Sequence, residues 1–217
     1  MEDIVLIHGL GRSSLLMSEM AIYWKWHGWR ILNIDYPSTR YSIDQLVERI
    51  SDKISVFREN SANPFFAVGH SLGSIILHFY IKKYIPAHLS RIVALGPPYH
   101  GSAIVDHLKR YPWFKKLYGP AAAELNSHLF ARLGEVDYQL GVIAGNRCVA
   151  SDWFFANFWL KKPNDGKVEV ASTRIPNMKD HIILPVKHPL MPTYPSVIHH
   201  TAHFIHHGCF DHARLGY

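Results

Sequence analysis

Cysteine is scarce in this 217-residue chain, which holds only Cys148 and Cys209. Two thiols exclude a disulfide framework and point to a reducing compartment, with both side chains expected to serve packing. No apolar run reaches the roughly eighteen residues of a membrane-spanning helix. The net charge is +6, yet the lysines and arginines are scattered and never form a long basic run. The charge therefore reads as a mild bias towards anionic surfaces, and nucleic acid is excluded as the expected partner. Repeats and low-complexity segments are missing, and no charged-then-apolar leader precedes the first strand pattern, so the cytoplasm is the default address. With 48% hydrophobic and 18% charged residues, the composition is that of an ordinary globular chain able to bury a sizeable core.

What is present is an alternation of strands and helices. Short buried-strand patterns occur at Ile4–Ile7, Trp29–Ile34, Phe65–Val68, Arg91–Leu95, Tyr138–Ala144 and Ile182–Val186. Helical spacing separates them, one helix running to about His27, where Gly28 stops it. Ser42 and Gln45 form a capping box for another, with Leu46, Val47, Ile50, Ile54 and Phe57 as its apolar face. A last helix is expected over Pro195–His207, with an apolar stripe of Ile198, Ala202, Ile205 and Cys209. This rhythm predicts an α/β fold, a parallel sheet covered on both faces, with ligands outside the carboxyl ends of the strands. Two stretches break it: Gly101–Glu135, an insertion of short helices mixing basic and aromatic residues, and the aromatic-rich Ser151–Pro163.

Gly69-His70-Ser71-Leu72-Gly73 is a G-x-S-x-G run at the junction of a buried strand and a helix. A serine at such a turn is forced into strained backbone with its hydroxyl presented outward, and the flanking glycines let strand and helix close around it. The pentapeptide is common by itself; its context carries the weight. A serine hydroxyl needs a base, and the base needs an acid to hold its tautomer. His188 is the expected base, because it follows the last strand; His181, which begins that strand, belongs at the opposite edge and is second choice. Asp165, in an Asn-Asp-Gly turn after the preceding strand, is the expected acid, although it also reads as a simple turn residue. Asp35 and Asp152 are fallbacks, and Asp180 ranks below them. The amides of Leu72 and of Leu10, the latter between Gly9 and Gly11, are the expected oxyanion donors. His8 and His70 read as structural.

Together, I4-V-L-I-H-G-L-G11, V68-G-H-S-L-G73, L95-G-P-P-Y-H-G-S102, N164-D-G-K-V168 and K179-D-H-I-I-L-P-V-K-H188 resemble the α/β-hydrolase family, in particular its small lipase-like members. The resemblance implies a minimal, six-stranded version of that fold in one domain, with 101–135 as a cap or lid. It implies Ser71 as nucleophile, Asp165 as acid, His188 as base, the Leu10 and Leu72 amides as oxyanion hole, and no cofactor. The expected activity is hydrolysis of a small-molecule or lipid carboxylic ester through an acyl-enzyme. An acyltransferase using the same three residues, or a non-catalytic sensor on the same fold, are the alternatives. Trp113, Phe114, Trp153, Phe154 and Phe158 are candidates for a substrate pocket, against a plain reading as core. The basic residues around Trp113 make transient contact with an anionic membrane a further candidate. His199, His203 and His207 recur on one helical face without an acidic partner and read as a solvated face, so no metal is expected.

Overall fold

The computed structural model describes residues 2–149 and 158–214. Six strands form one all-parallel sheet in the order β2-β1-β3-β4-β5-β6. They are β1 (Asp3–Ile7), β2 (Arg30–Ile34), β3 (Phe65–His70), β4 (Leu89–Leu95), β5 (Gln139–Arg147) and β6 (Asp180–Lys187). The chain steps from β1 out to β2, then returns to lay β3 on the other side of β1. That reversal opens a crevice at the carboxyl ends of β1 and β3.

Alternation along the strands divides the core into two layers. Val5, Ile7, Phe65, Ala67, Ile92, Ala94, Leu140 and Val142 face α2 (Ile43–Arg58) and α3 (Leu72–Tyr84). Ile4, Leu6, Phe66, Val68, Val93, Leu95 and Ile143 face α1 (Ser18–Trp26) and the C-terminal helix, α8 (Pro195–His207). Every residue of β1 and β3 is buried, as strands covered on both faces must be. The capping box of α2 forms in both directions: Gln45 N donates to Ser42 Oγ (3.3 Å) and Ser42 N to Gln45 Oε1 (3.1 Å).

The expected stripe of α8 is partly wrong. Ala202 and Ile205 are buried, but Val197, His200, Thr201 and Phe204 complete the inner face, and Cys209 is exposed. The helix ends at Gly208, which turns the chain with φ 76, so Cys209 no longer follows helical periodicity. The first helix also differs, since a 3-10 turn over Ser14–Met17 precedes α1. Ser14 is tied there by its amide to Asp35 Oδ1 (3.0 Å) and by its carbonyl to Asn33 Nδ2 (2.9 Å).

The insertion folds as α4 (Ala103–Leu108), α5 (Pro112–Tyr118), α6 (Pro120–Glu124) and α7 (Leu129–Leu133). Its buried side chains, among them Val105, Phe114, Leu125 and Leu129, belong to the same apolar layer as α2 and α3. Glu124 Oε1 accepts from the Ile43 amide at the start of α2 (3.1 Å), and Arg132 bridges Glu124 (2.7 Å) and Asp44 (3.1 Å). His78, fully buried on α3, donates through Nε2 to the Leu133 carbonyl (2.8 Å) and accepts at Nδ1 from the Tyr138 hydroxyl (2.7 Å). Swinging this layer open would expose apolar surface and break buried hydrogen bonds. No helix among the described residues is long and apolar enough to cross a membrane.

Because His78 satisfies two groups at once, His78→Leu should lower stability by about 1–3 kcal/mol, the toll of stranding a buried carbonyl. Urea denaturation followed by circular dichroism measures it; an unchanged midpoint would show that the clamp contributes nothing.

Candidate active site

β3 delivers Ser71 into the crevice. Its backbone sits at φ 54, ψ −120, a conformation that non-glycine residues adopt only when the surroundings enforce it. The Ser71 amide donates to Leu95 O on β4 (2.8 Å), and Ser74 holds the turn through its hydroxyl to Gly69 O (2.6 Å). A Cβ on Gly69 would lie 2.6 Å from Ser74 N, and one on Gly73 would lie 2.4 Å from Ile7 O. Both glycines are therefore required for α3 to leave the strand at once and cross β1 in backbone contact.

His188 is the first residue past β6 and opens a 3-10 turn, His188–Thr193. Its Nε2 accepts from the Ser71 hydroxyl at 2.9 Å, and its Nδ1 donates to Asp165 Oδ2 at 2.6 Å. Asp165 is 1% exposed, and its Oδ1 accepts from the amides of Lys167 (3.0 Å) and Val168 (2.8 Å). The Asp-Gly turn thus aims the second oxygen at the imidazole. The backbone joins in, with His188 N donating to Asp165 O at 3.2 Å. His70 Nε2 donates to the His188 carbonyl at 3.0 Å, so its unpartnered Nδ1 is the lone-pair nitrogen. Burial, assisted by the neighbouring His188 and Arg12, holds His70 well below the usual histidine range and keeps it neutral.

The loop after β1 is fixed from several sides. His8 stacks on Tyr36 with ring centroids 4.2 Å apart and donates from Nδ1 to Gly9 O (2.9 Å). Tyr36 OH donates to His8 O (2.7 Å), and the Gly11 amide donates to Ser38 Oγ (2.9 Å). Leu72 is the first residue of α3, where an amide has no partner within the helix. Neither the Leu10 nor the Leu72 amide donates to another described residue.

Other candidates lie elsewhere. His181 pairs with Thr173 Oγ1 (2.9 Å) at the amino end of β6, and Asp180 accepts from Phe210 N (2.7 Å) and His212 Nε2 (2.9 Å). Asp35 is exposed and engaged with Ser14. Asp152, Trp153 and Phe154 fall outside the described residues. Phe114, expected at a pocket wall, is instead buried within the helical layer against Tyr118, their centroids 5.1 Å apart. Trp113 is 51% and Phe158 69% exposed. On α8, His199 faces Asp211 (3.5 Å) and His203 donates to Cys209 O (2.8 Å). Among the described residues no group of His, Cys, Asp and Glu could hold a metal ion. Sequence reasoning missed Ser38, because nothing local signals a partner 27 residues from Gly11.

Solved structures share this architecture. A Bacillus licheniformis lipase in mature form superposes with TM-score 0.69 at 21% identity, covering 86% of this chain and 84% of its own. A metagenomic carboxyl esterase gives TM-score 0.67 at 16% identity over 86% of this chain and 64% of its own. The Legionella pneumophila phospholipase PlaB gives 0.65 at 16% over 80% of this chain, which spans 46% of that protein. The chain has the α/β-hydrolase fold. No protein-family profile and no curated protein matches its sequence. The sheet is the expected minimal one of six parallel strands.

Gly73→Ala should cost about 1–3 kcal/mol or more as an overpacked backbone contact, read as a drop in melting temperature; an unchanged melt would show that α3 can retreat from β1. His181 is pushed down to about 4 by burial, reinforced by the charges of Arg174 and His212 against that of Asp180. Its folded value lies below the ordinary 6.5, so the unfolded chain takes up the proton first. Stability from this group is full above 6.5 and is lost as pH falls towards about 4. His181→Gln should flatten that slope in urea titrations across the window; an identical slope would remove His181 as its source.

Proposed function

We propose that this α/β-hydrolase is a serine hydrolase that cleaves carboxylic esters through an acyl-enzyme on Ser71. The observation that carries the reading is the continuous hydrogen-bonded chain Ser71 Oγ, His188 Nε2, His188 Nδ1, Asp165 Oδ2, with links of 2.9 and 2.6 Å. Lipase and esterase structures of the same fold support it at the level of reaction class.

In the proposed sequence His188 Nε2 takes the Ser71 proton as Oγ bonds to the ester carbonyl carbon. The carbonyl oxygen becomes an oxyanion, received by the Leu10 and Leu72 amides and by the positive end of α3. Asp165 accepts from Nδ1 and stabilises the imidazolium. When the tetrahedral species collapses, the C–O bond to the alcohol breaks and His188 returns the proton to the leaving oxygen. Water then attacks the acyl-enzyme, giving its proton to His188, and collapse releases the carboxylic acid and restores Ser71.

Ser71→Ala should abolish turnover of 4-nitrophenyl butyrate and labelling by a fluorophosphonate probe. Asp165→Asn should lower kcat by about 10⁴-fold, because an amide no longer selects the required His188 tautomer. Wild-type turnover surviving in Ser71→Ala would dismiss the assignment.

A further inference from the structure

Elsewhere on the surface some cations are matched by carboxylates, while others, Lys25, Lys115 and Lys116 among them, form no ion pair among the described residues. Arg30 and Arg58 meet Asp3, Lys82 meets Asp137, Lys83 meets Glu48, and Arg132 meets Asp44 and Glu124. The reactive edge of the sheet collects cations of the second kind from several segments. Arg12, Arg40, Arg147, Lys161, Lys162 and Lys187 stand on the loops and strand ends there, and none forms an ion pair among the described residues. Among the described residues the carboxylates of that edge are already engaged: Asp165 by His188, Asp35 by the Ser14 amide, Glu169 by the Lys161 amide.

Two of these positions bear on the chemistry directly. Arg12 closes a turn on Gly9 (N to O, 3.3 Å), and a Cβ on Gly9 would lie 3.2 Å from Ser71 Cβ, so Arg12 rises from the loop that abuts the nucleophile. Its charge also reaches buried His70. Arg147 and Lys187 are paired across the β5–β6 ladder, and Lys187 immediately precedes His188. Like charges opposed in a ladder destabilise a sheet; a bound anion would relieve the repulsion. A cleft lined by one sign of charge also concentrates ligands of the other.

We propose that the site selects small esters that carry their own negative charge, drawn in by this basic edge and held at its rim by Arg12 with Arg147 and Lys187. The inference rests on the hydrolase reading above and specifies its substrate class. An anionic membrane offers the same charge in another form; the proposal commits to the monomeric substrate, because Arg12 shares its loop with Gly9, and Arg147 and Lys187 end the strands that lead to Asp165 and His188.

The test compares 4-acetoxybenzoate with its neutral counterpart 4-acetoxybenzamide. Wild-type kcat/KM should favour the anion by about tenfold at low ionic strength, and the preference should fade between about 10 mM and about 300 mM sodium chloride as screening sets in. Arg12→Gln, and separately Arg147→Gln with Lys187→Gln, should reduce the ratio of the two kcat/KM values severalfold. The salt titration needs no variant and stands even if one fails to fold. Equal kcat/KM for the two esters at low salt, or a preference indifferent to salt, overturns the proposal. So does acceleration that appears only when a neutral ester is dispersed in phosphatidylserine vesicles, which would assign the charge to a surface. Calorimetric titration of both compounds into Ser71→Ala separates the two levels. Tighter binding of the anion with no wild-type turnover of either ester retires the hydrolase reading, and with it this substrate class. Equal binding beside normal wild-type turnover retires only the charge preference.

Discussion

Helix α3 crosses β1 with Gly73 against the Ile7 and His8 carbonyls, and that backbone-to-backbone approach is the constraint on which the candidate site depends. It forces the chain to turn at Ser71 without a spacer, so the serine takes a positive φ and its hydroxyl leaves the helix axis. It also brings the start of α3 beside the loop after β1, where the Leu10 amide lies. Strain at Ser71 persists because fixed groups hold it from both sides: Leu95 O on β4 accepts its amide, and Ser74 locks Gly69.

The rest of the site is assembled by loops with no regular structure of their own, fastened by buried polar contacts. The Asp165 turn uses its own amides to orient the carboxylate, then bonds backbone and side chain to His188. His70 holds His188 from the opposite side through its carbonyl. The insertion meets this region at its root, where Ser102 Oγ donates to Lys167 O (3.0 Å) and Ser172 Oγ to Gly101 O (2.6 Å). The insertion and the Asp165 loop therefore brace one another. Each such bond adds little net stability, but leaving its buried partner unmade is expensive, and that asymmetry keeps the geometry unique.

The two edges of the sheet use charge differently. At the amino edge, buried Asp3 gathers Arg58 (2.6 Å), Ser61 (2.8 Å), Asn63 (2.9 Å) and Arg30 (3.3 Å). Burial opposes ionisation of Asp3, yet these donors and the Arg30 charge outweigh it and hold its carboxyl below the usual range. That knot ties β1, β2 and the entrance to β3 together. At the carboxyl edge Arg12, Arg147 and Lys187 form no ion pair among the described residues, and the buried Asp165 carboxylate is committed to an imidazole.

Local pattern determined the strands, the capping box of α2, the bounds of α8 and the elbow at Ser71, because each is written in residues a few positions apart. Strand-end logic also named Asp165 and His188 as the partners to seek. What the pattern does not carry is contact across the chain. Ser38 beneath Gly11, His70 beneath His188, His78 beneath Leu133 and the true inner face of α8 all depend on which surfaces meet after folding. Phe114 shows the same limit: an aromatic in an insertion reads alike whether it lines a pocket or fills a core, and only packing made it core. Sequence specified the chemistry available, since side-chain type and local spacing are covalent facts. Tertiary structure decided which groups touch, since hydrogen bonds and burial act through space, without regard to separation along the chain.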